Sequence, residues 1–147
     1  MSNAIELENV TKSFGANTAV DRLDLEVPEG SIYGFIGPNG SGKTTTLRMI
    51  LRIFQPDDGR ITVLGRDRGR VADDRLGYLP EERGLYKRMK VRDLLAYYAK
   101  LKGFYNCSDE IDHWLERLEA TDWSNRRIDA LSKGMAQKIQ FIAAVIA

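Results

Sequence analysis

The chain has 147 residues, with 22 Lys+Arg against 21 Asp+Glu and a formal net charge of +1. That length allows one compact domain burying about 70% of its unfolded surface. A content of 43% hydrophobic and 29% charged residues excludes a disordered chain. The near-zero charge gives no electrostatic case for nucleic acid as a partner. Cys107 is the single cysteine, so a disulfide framework or thiolate metal cluster is excluded and a reducing, cytosolic setting is expected. The longest apolar run, residues 141–147, falls far short of the ~20 residues a membrane span needs. The start, MSNAIELE, lacks the basic and apolar stretches of a signal peptide. A role at a membrane would therefore depend on a partner.

In chain order, Ile5, Leu7 and Val10 are separated by polar residues, and Leu23, Leu25 and Val27 alternate with Asp24 and Glu26. Both patterns predict half-buried strands. Residues 31–36 have little polar interruption, as expected of a strand covered on both faces. Leu47, Ile50, Leu51 and Phe54 predict one face of a helix that stops at Pro56-Asp57-Asp58-Gly59. Residues 61–64 and 76–79 are further strand candidates. From about Val91 the texture turns helical. Val91, Leu94, Leu95 and Tyr98 share one face before Gly103, and Ser108 is the expected N-cap of a helix with Asp109 and Glu110 in its first turn. Ile111, Trp114, Leu115 and Leu118 line that helix, and a last helix starts near Ser132. The final eight residues grow more apolar, with no terminating Gly, Lys, Arg or Pro. The chain is therefore expected to be cut inside an element.

The sharpest motif is Gly37-Pro38-Asn39-Gly40-Ser41-Gly42-Lys43-Thr44, which fits G-x-x-x-x-G-K-[ST] between a strand-like run and an amphipathic helix. Glycines let the backbone curl so that successive N–H groups face phosphate oxygens, and the helix start adds partial positive charge. Lys43 would reach the β- and γ-phosphates, Thr44 would hold Mg²⁺, and Thr45 would add an α-phosphate contact. The bland reading, a strand-to-helix turn that binds nothing, leaves the lysine without a purpose. Lys43 is accordingly a candidate catalytic as well as binding residue.

Three further stretches, Thr11-Lys12-Ser13-Phe14-Gly15, residues 77–86 and Leu131-Ser132-Lys133-Gly134-Met135, occur in order around the loop. Together they resemble the nucleotide-binding subunits of ABC transporters, more particularly the export branch whose ATPase pairs with a separate membrane permease. The resemblance implies an α/β fold: a P-loop NTPase core, an N-terminal antiparallel β subdomain and a helical subdomain, truncated before the Walker B strand. The expected division is a β subdomain at 1–30 and 59–65, the core at 31–58 and 66–84, and the helical subdomain with the signature helix at 85–147.

The same resemblance implies individual roles. Phe14 would stack on adenine, whereas a lone Phe at a strand end is otherwise usually core. Ser132 and Gly134 would present a signature to the γ-phosphate of ATP on a second nucleotide-binding subunit in a head-to-tail dimer; alone, Ser132 would be a plain N-cap. Lys133 and Met135 depart from the commonest signature. Glu81 takes the place of a usual glutamine and is either a Mg²⁺ ligand with a catalytic role or a solvated loop acid beside Glu82. Leu85, Tyr86, Met89, Tyr97 and Tyr98 are either core or a permease-contacting patch. Lys87, Arg88, Lys90 and Arg92 read as a solvated basic face, and His113 is not placed for catalysis.

The implied cofactors are ATP and Mg²⁺. The implied function is ATP-driven substrate export, from a cytoplasmic position on the inner face of the cell membrane held by the permease. The family's Mg²⁺-holding Asp, water-polarising Glu and γ-phosphate-sensing His have no counterpart here, so these residues are expected to be catalytically incomplete. A soluble ABC-type ATPase with a regulatory role in translation or DNA repair is the alternative. A small P-loop kinase or GTPase is a third reading, but it would have no use for Leu131-Ser132-Lys133-Gly134.

Overall fold

Two long strands and a short third form the only sheet among the described residues. β1 (Asn3–Phe14) pairs antiparallel with β2 (Asn17–Pro28) on one edge and with β3 (Asp58–Val63) on the other. The computed structural model describes residues 2–67, 75–80 and 84–146, and the chain divides into two units, Met1–Leu76 and Gly77–Ala147.

In the first unit, the spacing from Leu7 to Val10 breaks a strict alternation, yet both residues are buried. A bulge reconciles them: the register shifts between Leu7 and Val10, Asn9 takes φ +52°, and its amide donates to Asp24 Oδ1 at 2.6 Å. On β2, Leu23, Leu25 and Val27 alternate half-buried with exposed neighbours, as their sequence predicts. The helix α1 (Lys43–Ile50) lays Met49 and Ile50 on a core of Leu7, Val10, Val20, Ile61 and Val63. Its buried face is therefore Thr46, Met49 and Ile50. Leu47 is exposed, so the predicted face is displaced by about one residue, and the helix ends earlier than the Pro56 stop.

Two predicted strands are absent. Residues 31–36 carry no strand pairing, and Ile32 and Ile36 stand 104% and 94% exposed. A strand of this composition is stable only with neighbours on its edges and cover on both faces, and no described strand lies beside it. Residues 76–79 likewise form no strand, with Tyr78 and Leu79 exposed.

The second unit is helical: α2 (Val91–Leu101), α3 (Ser108–Arg117), two single 3₁₀ turns and α4 (Lys133–Val145). Val91, Leu94, Leu95, Ile111, Leu115, Ile139 and Ile142 form its core. Ser108 is not the N-cap of α3. Cys107 occupies that position without a side-chain hydrogen bond, while Ser108 Oγ accepts from Arg92 at 2.9 Å. Arg92 also pairs with Asp112, tying α2 to α3. Residues 77–80 belong to this unit and pack on α4. A Cβ at Gly77 would lie 2.7 Å from the Ala144 carbonyl oxygen, and buried Gln140 donates to the Pro80 carbonyl at 3.1 Å.

Two predictions follow from this packing. Leu94 is fully buried, so Leu94→Ala should cost about 2–5 kcal/mol of stability in urea unfolding. The second concerns acid. Lys12 and the Ser13 amide hold Asp57 below its ordinary carboxylate range, and Arg92 does the same for Asp112. Each takes up a proton more readily unfolded than folded, so its stabilisation is complete above the ordinary carboxylate range and is lost as pH falls through the lowered folded value. Urea unfolding from neutral pH to about pH 3 should show a shallower acid loss in Asp57→Asn/Asp112→Asn than in the unaltered protein.

Candidate functional site

The residues between 36 and α1 build a loop that only glycine permits at two points. Gly40 and Gly42 have φ of +84° and +86°. A Cβ at Gly42 would stand 2.3 Å from the Ala19 carbonyl oxygen and 3.1 Å from Val20 Cγ2, so the loop is seated directly on β2. The Ser41 amide donates to the Pro38 carbonyl at 3.2 Å and closes a tight turn. Thr46 is 1% exposed; its amide, at 2.8 Å, and its hydroxyl, at 3.0 Å, both donate to the Gly42 carbonyl. This double bond locks the junction of loop and helix.

Gly42 is the N-cap of α1 and supplies no side-chain acceptor. The amides of Gly40, Gly42, Lys43, Thr44 and Thr45 have no acceptor among the described residues. They are the orphan donors of a helix start, at the positive end of its dipole. Lys43 Nζ folds back over the loop and donates to the carbonyls of Gly37 at 2.6 Å and Pro38 at 2.7 Å, with Ser41 Oγ at 3.5 Å. A set of unpaired N–H groups beside an ammonium fits a polyphosphate. It does not fit a bare cation, and no group of three or more His, Cys, Asp or Glu side chains among the described residues could hold one. Thr44 is exposed, and its hydroxyl could ligate Mg²⁺ only together with phosphate oxygens.

The other predicted site residues fall as follows. Phe14, at the end of β1, is 46% exposed rather than core. Its ring meets that of Phe54 edge to face, centroids 5.5 Å apart and planes at 70°, and Lys12 Nζ lies 5.6 Å from its centroid. Asn39 and Pro38 are exposed on the loop. In the second unit Ser132 is the N-cap of α4, its Oγ accepting from the Met135 amide at 3.3 Å; Gly134 lies exposed beside it with no heavy atom near its missing side chain. Glu81 and Glu82 lie outside the described residues. Tyr86, Tyr97 and Tyr98 cluster at centroid distances of 5.5–6.4 Å, and Tyr98 donates to the Gly84 carbonyl at 3.1 Å. Leu85 is core, whereas Tyr86 and Tyr97 are exposed.

Sequence reasoning missed Thr46, Phe54 and Asp57. Asp57 Oδ1 accepts from Lys12 at 2.6 Å and Oδ2 from the Ser13 amide at 2.7 Å. In the sequence these residues read only as a third threonine, a helix-face aromatic and part of a helix stop. No spacing signal marks Phe54 and Asp57, whose partners on β1 lie 40 or more positions away, and Thr46 acts only on the Gly42 carbonyl at the start of its own helix.

A glycine-seated loop feeding a helix on an antiparallel sheet, in a chain that also carries a helical unit, defines an α/β protein of the P-loop NTPase class. A solved structure described as the ATP-binding subunit of an ABC transporter superposes with a TM-score of 0.82 at 22% identity, covering 97% of this chain and 62% of that one. The sequence model of the ABC transporter family matches residues 20–147, and the chain belongs to that family, as an ATP-binding domain. An uncharacterized ABC transporter ATP-binding protein of Bacillus subtilis, YhaQ, is 49% identical over 97% of this chain and 48% of its own length. The Nod factor export ATP-binding protein I of Paraburkholderia xenovorans is 36% identical over 97% of this chain and 49% of its own. A sulfate/thiosulfate import ATP-binding protein of Thermosynechococcus vestitus is 34% identical over 96% of this chain and 43% of its own. The chain thus spans about half the length of these relatives. No helix among the described residues is long and apolar enough to cross a membrane.

Gly42→Ala should break the seat of the loop: it forces a Cβ onto the Ala19 carbonyl at a positive φ. The expected loss is at least about 1–3 kcal/mol of stability, read as a lowered urea midpoint.

Proposed function

We propose that this chain is the ATP-binding part of a transporter subunit that couples ATP binding and hydrolysis to export of a substrate through a separate membrane permease. The carrying observation is the phosphate loop: five main-chain N–H groups without acceptors among the described residues, beside the Lys43 ammonium. The loop amides of Gly40 and Gly42 and those of Lys43, Thr44 and Thr45 hold the polyphosphate. Lys43 would turn its ammonium from its contacts within the loop to the β- and γ-phosphates, and Thr44 would hold Mg²⁺. The bound Mg²⁺ supplies neutralising charge for phosphoryl transfer. Phe14, exposed at its strand end, takes the adenine face. Ser132 and Gly134, at the start of α4, face the ATP of a second nucleotide-binding subunit arranged head to tail.

Export is supported by the likeness to the Nod factor export ATP-binding protein. The exposed Tyr86 and Tyr97 offer an aromatic surface to cytoplasmic helices of the permease, which would hold the subunit at the inner face of the cell membrane. The Mg²⁺-holding Asp, water-polarising Glu and sensing His that the family resemblance implies have no motif counterpart in these 147 residues. The single histidine, His113, lies on α3. These residues alone are therefore expected to bind ATP with little turnover.

Calorimetry with Mg²⁺-ATP tests the reading. The unaltered chain should bind, and Lys43→Ala should weaken binding about 10- to 100-fold, the scale of a lost hydrogen bond to a charged group. Binding by the variant at full strength, or no uptake by the unaltered chain, would contradict it. ATP-dependent substrate movement into inverted vesicles, with the chain in its whole protein and its permease, tests the export direction.

A further inference from the structure

Two residues between α1 and β3, Phe54 and Asp57, make contacts that the loop's role as a helix stop does not require. Phe54 sets its ring against Phe14 at 5.5 Å, and the Arg48 guanidinium of α1 lies 5.7 Å from the Phe54 centroid. Three residues on, Asp57 grips the strand just before Phe14. Its carboxylate takes the Lys12 ammonium and the Ser13 amide, and its own amide donates to the Thr11 carbonyl at 2.9 Å. Backbone and ring of the β1 terminus are thus held by the same short loop.

That loop is also the continuation of the helix that begins at the phosphate-binding amides. α1 is eight residues long, about 12 Å at 1.5 Å per residue. Gly42 pins its first end to β2, and Phe54 and Asp57 pin the chain after its last end to β1. We propose that Phe54 and Asp57 are positioning residues for nucleotide binding: they fix the Phe14 ring at a set distance from the phosphate loop, so that base and polyphosphate are held together. This inference rests on the nucleotide-binding reading and adds a coupling to it. An exposed aromatic at a strand end is otherwise free to turn about its side-chain torsions, and ordering it on binding would cost affinity. An edge-to-face neighbour removes that freedom beforehand.

The inference separates the base from the phosphates. Mg²⁺-ATP and Mg²⁺-tripolyphosphate share the loop contacts, but only ATP uses Phe14. Phe54→Ala should weaken ATP binding about three- to tenfold, the scale of a lost aromatic pair, and leave tripolyphosphate binding unchanged. Phe54→Tyr, which keeps the ring edge, should bind ATP as the unaltered protein does. Circular dichroism checks folding, and Phe54→Leu, which keeps most of the apolar volume, carries the test if Phe54→Ala does not fold. Equal losses for both ligands would reduce Phe54 to a structural residue and overturn the inference. So would an unchanged ATP affinity, or a Phe54→Tyr variant no better than Phe54→Ala. An unaltered protein that bound neither ligand would instead overturn the nucleotide-binding reading itself.

Discussion

The contact between Gly42 and the Ala19 carbonyl is the constraint on which the rest of the first unit depends. With no side chain in the way, the loop backbone rests on β2, and α1 leaves it with its first amides unpaired. A buried start of a helix would normally find a capping side chain. Here the cap position is a glycine in the left-handed region, so no described residue competes for those donors. Thr46 then fixes the angle at which the helix departs. The potential of the site comes from main-chain geometry together with the Lys43 ammonium.

Lys43 is held by the loop it serves. Its bonds to the Gly37 and Pro38 carbonyls keep the ammonium over the turn, with no carboxylate partner among the described residues. A neighbouring acid would neutralise it before any anion arrived, and the loop contains none. On the proposed reading this arrangement favours anions, and the exposed Phe14 ring serves as the platform for a base. The two parts lie in one unit and are joined by α1 and the loop after it.

Much of this was legible in the sequence, for identifiable reasons. The phosphate loop, the antiparallel strands around Leu7 and Leu25, and the faces of α2 and α3 follow local spacing, which the chain must obey wherever one side is buried. The resemblance to ABC transporter subunits rests on the same loop plus Phe14, residues 77–86, Ser132 and Gly134. What could not be read depends on contacts distant in sequence. Residues 31–36 have the composition of a covered strand, but composition does not supply the neighbours that make one, and Ile32 and Ile36 stand in the open. Leu47 and Ser108 were misjudged because a helix rotates to suit its sheet and an arginine can claim a hydroxyl that would otherwise cap. Phe54 and Asp57 matter only through β1, which no local pattern could show.

The central claim is that the unpaired amides at the start of α1 are the nucleotide's anchor. The most direct measurement is amide-resolved NMR of the isotope-labelled protein during titration with Mg²⁺-ATP. The account predicts that the N–H signals of Gly40, Gly42, Lys43, Thr44 and Thr45 shift first and furthest, saturating together. Saturable binding that left those five signals in place while others moved would contradict it.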